Sequence, residues 1–138
     1  MPVTFRTSRT VEFGDTDMAG IVHFTRFFSW MESAEQAFLR SLGLSVAMEW
    51  EGEKIGFPRV SASCDFLRPV RFEDVLDVVV TVQKVGRASV TYGFEFFKGA
   101  DAVASGRIAA VCCRVGPGRP LEALPIPDAI RSRLEPVV

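Results

Sequence analysis

The order of apolar patterns along the chain constrains its fold more than any other feature. Residues 25–42 carry apolar side chains at steps of three and four. That spacing predicts one amphipathic helix of roughly 18 residues, about 27 Å long. A first strand is predicted before it, over residues 3–13, and four strand-like runs follow, at residues 57–68, 75–85, 87–98 and 102–115. Short turns between these runs imply antiparallel pairing, so the sequence predicts an α+β fold with one long helix covering one face of an antiparallel sheet.

Local signals refine the element boundaries. Thr25 is a suitable N-cap for the long helix, and Gly43 suits the left-handed position after its end. Residues 44–55 are predicted to be irregular or a short second helix, and residues 128–134 a short helix in the tail. In the run 57–68, alternation assigns two sets of side chains to opposite faces. One set is Val60, Ala62, Cys64 and Phe66, and the other is Arg59, Ser61, Ser63 and Asp65.

Composition limits the classes of function. At 138 residues with 48% hydrophobic content, residues 1–138 are expected to form a single packed domain. Sixteen basic and 17 acidic residues leave a net charge of -1, which excludes the basic field of a nucleic-acid binder. No apolar run is long enough to span a membrane, and residues 1–10 lack a secretory h-region, so we expect a cytoplasmic protein without membrane partners. The three cysteines have no metal-ligand spacing and are expected to be reduced, and no metal or redox cofactor is predicted.

The stretch between the first strand and the helix concentrates polar residues of catalytic type. Asp15 and Asp17 lie two positions apart, Gly20 follows, and His23 is the only histidine of the chain. Aspartates before a helix also serve as ordinary turn and cap residues. Residues 78–80 are three consecutive valines, so apolar side chains point to both faces of the predicted strand. This indicates that the second sheet face or an edge is covered as well. Another copy of the chain is the natural candidate for this cover.

This layout carries a recognisable signature. Residues 14–22 read Gly-Asp-Thr-Asp-Met-Ala-Gly-Ile-Val, directly before the helix. Together with residues 27–32, 57–58 and 66–70, they resemble the hotdog-fold acyl-CoA thioesterases of the 4-hydroxybenzoyl-CoA thioesterase family. The signature of that family is a D-x-D-x-x-G-x-V loop that leads into the central helix. The resemblance implies a hotdog fold, a five-stranded antiparallel sheet wrapped around one long central helix. It also implies a homodimer with a continuous sheet, often paired into a homotetramer, with active sites at the subunit interface.

The resemblance also implies roles for individual residues. Asp17 matches the catalytic carboxylate of the family, acting as nucleophile or general base. The backbone N–H near Phe24 would polarise the thioester carbonyl of an acyl-CoA substrate. Lys84 and Arg87, with Ser89 beside them, would hold the phosphates of coenzyme A. Family members often carry an aromatic residue before a histidine here, whereas this chain has His23 before Phe24.

Several readings of the remaining polar residues stay open. Asp15 is predicted to brace the loop, and Glu32 is a candidate second carboxylate facing the acyl pocket. A 3-hydroxyacyl-thioester dehydratase would instead pair His23 with Glu32 or Glu35. A third alternative is a protein that is not an enzyme, an oligomer that binds acyl groups without turnover. The sequence does not identify the acyl group or distinguish coenzyme A from an acyl-carrier protein.

Overall fold

The structure, a computed structural model, describes residues 3–135. Its helices and strands follow in chain order: β1 Thr4–Thr10, α1 Phe24–Ser41, β2 Ala47–Trp50, β3 Glu53–Gly56, β4 Arg59–Phe66, β5 Val75–Val85, β6 Ser89–Lys98, β7 Asp101–Val111, β8 Cys113–Arg114, β9 Glu122–Ala123 and α2 Asp128–Leu134. A short 3₁₀ turn, Phe13–Asp15, lies between β1 and α1. None of the helices in these residues is long and apolar enough to cross a membrane.

The main sheet is antiparallel, with strand order β1-β5-β6-β7-β4. Alternate residues of its strands face α1, and the helix contributes one apolar stripe to the same core. The Phe27 ring lies 5.3 Å from the ring of Phe96, and Phe38 meets Tyr92 edge-on at 6.2 Å. This layer of helix on sheet agrees with the predicted hotdog architecture.

The prediction of a single five-stranded sheet around one helix is incomplete, because the described residues also form a second sheet of four strands. Residues 44–55 were predicted to be irregular or a short second helix, but most of them belong to the hairpin of β2 and β3. This hairpin turns through left-handed Glu51 and Gly52, with φ of 50° and 80°. β8 and β9 extend this hairpin into the second sheet. The predicted strand 102–115 is therefore divided. The Cys112 N–H donates to the Ala88 carbonyl, and the chain then passes from the main sheet to the second one.

The boundaries of α1 agree closely with the helix predicted over residues 25–42, but its N-cap residue differs from the predicted one. α1 begins at Phe24 and His23 is its N-cap, with Nδ1 accepting from the Thr25 N–H at 3.4 Å. The prediction of Thr25 as N-cap is wrong, because the Thr25 hydroxyl lies 2.7 Å from the same His23 Nδ1 inside the first turn. Gly43 adopts the predicted left-handed conformation, with φ of 75°, and α2 occupies the predicted residues 128–134.

A β-bulge in β4 overturns the predicted face of Arg59. Arg59 lies opposite Ala110, whereas Ser61 lies opposite Ala109, so Val60 is the extra residue. Ala110 is fully buried on the inner face, and the bulge therefore turns Arg59 inward, away from the serines of its strand. β4 is also an edge strand of the main sheet, and its Val60 and Phe66 are 65% and 47% exposed.

Candidate active site

Asp15 braces the loop that leads into α1. Its side chain is buried, and Oδ2 accepts from the Glu12 N–H at 2.8 Å. The Asp15 carbonyl accepts from the His23 N–H at 2.9 Å. Arg26 of the first helical turn closes the arrangement, with Nε 3.7 Å from Asp15 Oδ1 and Nη2 donating to the Gly14 carbonyl. These contacts tie both ends of the loop to the start of the helix, as the bracing role predicted.

Asp17 lies at the exposed tip of the same loop. Its Oδ1 accepts from the Ala19 N–H at 2.9 Å, and its backbone N–H donates to the Ile21 carbonyl at 2.9 Å. Gly20 completes this turn at φ of 77°, a conformation that residues with a Cβ rarely adopt. The turn holds the Asp17 carboxylate in one place while leaving it accessible to solvent and to a substrate.

Two depressions meet at Asp17. The first is a cavity of about 410 Å³, here called the apolar cavity; its lining residues are Asp17, Ile21, Val22, Phe24, Phe27, Phe66, Leu67, Arg68, Pro69 and Val70. The second is an open depression of about 520 Å³ lined by Phe13, Thr16, Asp17, Met18, Gly20 and Phe72. A thioester has two arms that diverge from its carbonyl carbon. A carboxylate between two depressions can therefore contact that carbon while each arm occupies one of them.

The N-terminus of α1 borders the same cavity as Asp17. Phe24 is the first helical residue and lines the apolar cavity. Within residues 3–135 its N–H has no acceptor, while the Thr25 and Arg26 N–H groups both donate to His23. Free N–H groups at a helix start carry partial positive charge and stabilise negative charge on a bound oxygen. Asp17 and Phe24 thus line the same cavity.

His23 lies outside this arrangement. Its exposed ring caps α1 and lies against Phe24, with ring centroids 4.8 Å apart, and it lines neither depression. Glu32 is exposed and Glu35 is buried farther along the helix. At 1.5 Å per residue they lie about 14 and about 18 Å along the axis from His23. The histidine–carboxylate pair that a dehydratase requires is not assembled within one protomer.

The residues predicted to bind phosphate lie at the other end of the sheet. Lys84, Arg87 and Ser89 belong to the β5–β6 hairpin, whereas β5 begins at Val75 opposite Thr10, near the catalytic loop. An 11-residue strand is about 33 Å long. Lys84 and Arg87 are exposed, and within one protomer the structure does not bring them together with Asp17.

Sequence reasoning missed a buried ion pair in the core. Glu35 of α1 is fully buried and accepts a hydrogen bond from Nη2 of Arg59, the residue that the bulge turns inward. Burial raises the pKa of Glu35 to about 7, an effect that the Arg59 charge opposes and the Glu32 charge reinforces. Glu35 Oε2 and Arg59 Nε have no partner in the described residues. The helical spacing held a signal, because Glu35 lies four residues after Met31 and three before Phe38, on the apolar stripe.

The cysteines take no part in the site. Cys64, Cys112 and Cys113 are free thiols, as expected. Burial, with a smaller contribution from the Asp65 charge, raises the pKa of Cys64 to about 11, and burial also raises the pKa of Cys112. A thiol with a raised pKa is a poor nucleophile at neutral pH.

One long helix packed on an antiparallel sheet, with an aspartate-containing loop before the helix, is the arrangement of the hotdog fold. The chain belongs to the thioesterase superfamily, whose family model matches residues 19–105. It is 31% identical over 137 residues to a 1,4-dihydroxy-2-naphthoyl-CoA hydrolase of Synechococcus, covering 94% of this chain and 88% of that one. The predicted relationship is confirmed at the level of the family.

Two solved structures share the fold over nearly their whole length. One is a 1,4-dihydroxy-2-naphthoyl-CoA thioesterase from Synechocystis, with a TM-score of 0.83, 26% identity and coverage of 96% of each chain. The other is a gentisyl-coenzyme A thioesterase, with a TM-score of 0.82, 32% identity and coverage of 94% of this chain and 99% of that one.

Proposed function

We propose that the protein hydrolyses coenzyme A thioesters of aromatic acids, with Asp17 as the catalytic carboxylate and the Phe24 N–H as the oxyanion donor. The observation that carries this proposal is the position of Asp17, between two depressions and on the same cavity as Phe24, the first residue of α1. Thioester hydrolysis needs a nucleophile or base beside a donor for the developing oxyanion, and this site offers both.

The chemistry can follow either of two balanced routes. In one, Asp17 attacks the carbonyl carbon and coenzyme A leaves as its thiolate, which takes up a proton. Water then hydrolyses the mixed anhydride to the free acid and restores the carboxylate. In the other, Asp17 removes a proton from a water molecule that attacks the same carbon directly. In both, the Phe24 N–H and the helix dipole stabilise the tetrahedral oxyanion.

The lining of the apolar cavity supports an aromatic acyl group. Phe24, Phe27 and Phe66 contribute rings, and Phe66 meets the other two at centroid distances of 6.2 and 5.3 Å. Aromatic rings pack well against one another edge-on or offset, and a flat acyl ring can join such a group. The acyl groups named for the relatives, dihydroxynaphthoyl and gentisyl, are aromatic as well.

A dimer would bring the residues proposed to bind phosphate close to Asp17. β4 has a free edge in the single chain, with exposed apolar side chains along it. Pairing two copies of β4 antiparallel would join the two main sheets into one. The twofold axis of that pairing reverses the partner's strands, so Lys84 of the partner subunit and the partner's Arg87 come to the end of the sheet that carries Asp17. Coenzyme A would then span the interface between the two copies, in a dimer or a dimer of dimers.

The direct test is thiol release from a panel of aryl- and alkyl-CoA thioesters. We expect turnover of aryl-CoA substrates well above the uncatalysed rate. No release with any thioester would remove the thioesterase proposal and leave an acyl-binding protein. Hydration or dehydration of a 3-hydroxyacyl thioester that depends on His23 and not on Asp17 would favour the dehydratase instead.

Charge reversal tests the shared site separately. The Arg87→Glu protein and the Asp17→Asn protein are each inactive on coenzyme A thioesters if every site takes Asp17 from one copy and Arg87 from the other. In a one-to-one mixture that allows subunit exchange, about half of the dimers are mixed and each has one intact site of two, so the mixture recovers up to about a quarter of the wild-type activity. No recovery in mixed dimers isolated with two different tags would contradict the shared site.

A further inference from the structure

Arg68 is the basic side chain that lines the apolar cavity. Of the lining residues only Asp17 and Arg68 are charged, and the others are apolar. In residues 3–135 Arg68 forms no ion pair, whereas Arg26 and Arg59 are each paired with a carboxylate. An exposed arginine is ordinary on an open surface. Arg68 instead lines an apolar cavity that also includes Asp17, and its charge has no ion-pair partner in the described residues.

The backbone holds Arg68 at this cavity. The Leu67 and Arg68 N–H groups both donate to the Val103 carbonyl, at 2.9 and 3.2 Å. Pro69 follows, which favours an extended backbone at Arg68. Val70 is buried and its carbonyl accepts from the Val22 N–H at 2.7 Å, so the segment is tied to the catalytic loop. The guanidinium therefore projects from a segment held at both of its ends.

We propose that Arg68 is a specificity-determining residue that binds an oxygen substituent, hydroxyl or carboxylate, on the acyl ring of the substrate. This deepens the proposed function and rests on it. An apolar pocket by itself discriminates weakly between a ring and its hydroxylated analogue, whereas a site with a donor for that oxygen discriminates strongly. A guanidinium offers a planar fork of donors and a charge that favours a phenolate or carboxylate. The thioester carbon must lie at Asp17, so the acyl ring fills the cavity that Arg68 borders.

The test compares substituted and unsubstituted acyl groups in matched variants. Benzoyl-CoA is compared with 4-hydroxybenzoyl-CoA, and 2-naphthoyl-CoA with 1,4-dihydroxy-2-naphthoyl-CoA. For each thioester, kcat/KM is measured with the wild type, R68A, R68K and R71A. We expect R68A to lower the preference for at least one hydroxylated substrate by about 10- to 100-fold, the range for a hydrogen bond to a charged group. R68K keeps the positive charge but loses the planar fork of donors, so its preference for hydroxylated substrates should lie between those of the wild type and R68A. Arg71 is exposed and lies outside the cavity, and R71A should leave the preference unchanged.

Phosphate of coenzyme A is the other source of an anionic ligand for Arg68. N-acetylcysteamine thioesters of the same acids lack phosphate and separate the two sources. If R68A loses the hydroxyl preference with these truncated thioesters as well, the ring oxygen is the ligand. If R68A weakens all coenzyme A thioesters equally and leaves the truncated ones unchanged, Arg68 binds phosphate and the proposal is wrong. An unchanged preference in both series also overturns it.

A binding measurement distinguishes this proposal from the proposed function. The Asp17→Asn protein is titrated by calorimetry with benzoate, 4-hydroxybenzoate, 2-naphthoate and 1,4-dihydroxy-2-naphthoate. Tighter binding of a hydroxylated acid that disappears in the Asp17→Asn/R68A protein supports the role of Arg68, even if the wild type hydrolyses none of the thioesters. Equal affinities for the members of each pair in both proteins would contradict it.

Discussion

Two carboxylates near the same helix have opposite surroundings. Asp17, just before α1, is exposed at a loop tip, whereas Glu35, three turns into α1, is fully buried against Arg59. The pKa of Glu35 is raised to about 7, yet Glu35 lines neither depression and Asp17 lines both. Perturbed carboxylates cluster at functional sites, but buried structural ion pairs shift pKa values too. In this protein the accessible carboxylate lines the candidate site, and the carboxylate with the raised pKa lies in the core.

The comparison predicts that the two residues separate activity from stability. Asp17→Asn keeps the oxygen that accepts from the Ala19 N–H but removes the negative charge. We expect kcat to fall by about 10³-fold, within the usual range for a catalytic acid or base, while the free energy of unfolding changes by less than about 0.5 kcal/mol. Thiol release and urea unfolding measure the two quantities. Near-wild-type turnover would transfer the catalytic role to another group.

Glu35→Ala should have the reverse effect. Removing one partner of a buried ion pair typically costs about 3–5 kcal/mol, and partial exposure of Arg59 favours the lower end, about 3 kcal/mol. Urea unfolding measures the loss, with Glu32→Ala on the exposed face of the same helix as the control, expected within about 0.5 kcal/mol of wild type. Where Glu35→Ala remains folded, kcat should stay within a few-fold of wild type. A large loss of kcat without a loss of stability would place Glu35 in the site.

The raised pKa of Glu35 makes its effect on stability dependent on pH. The folded protein keeps the Glu35 proton up to about pH 7, whereas the unfolded chain loses it near the ordinary value of 4.5. The unfolded state therefore binds fewer protons between these values, and stability falls as pH rises through this window. The wild type should lose up to about 3 kcal/mol relative to Glu35→Gln between pH 4.5 and 7. Parallel pH profiles of the two free energies of unfolding would contradict the burial of an ionisable group here.

The same contrast explains how much could be predicted from the sequence. The long helix and the strands β5 and β6 follow from periodicity, whereas the loop with Asp15 and Asp17 stands out through its resemblance to the family signature. The inward Arg59 does not, because one bulge shifts the register and moves a side chain to the other face. The small second sheet was missed because its strands have two to four residues and acquire their pairing from distant partners.

His23 offers the mildest test, since the structure gives it a structural role close to the site. Loss of an N-cap side chain costs about 1 kcal/mol, so His23→Ala should lower stability by that amount, and His23→Asn, which restores a capping acceptor, should recover most of it. Because the ring lines neither depression, turnover should fall less than about ten-fold in both variants, through looser positioning of the Phe24 N–H. Urea unfolding and thiol release across pH 5 to 9 measure both effects. If His23→Asn recovers stability but not turnover, the imidazole itself takes part in the chemistry, and Asp17 is no longer the single catalytic side chain at the start of α1.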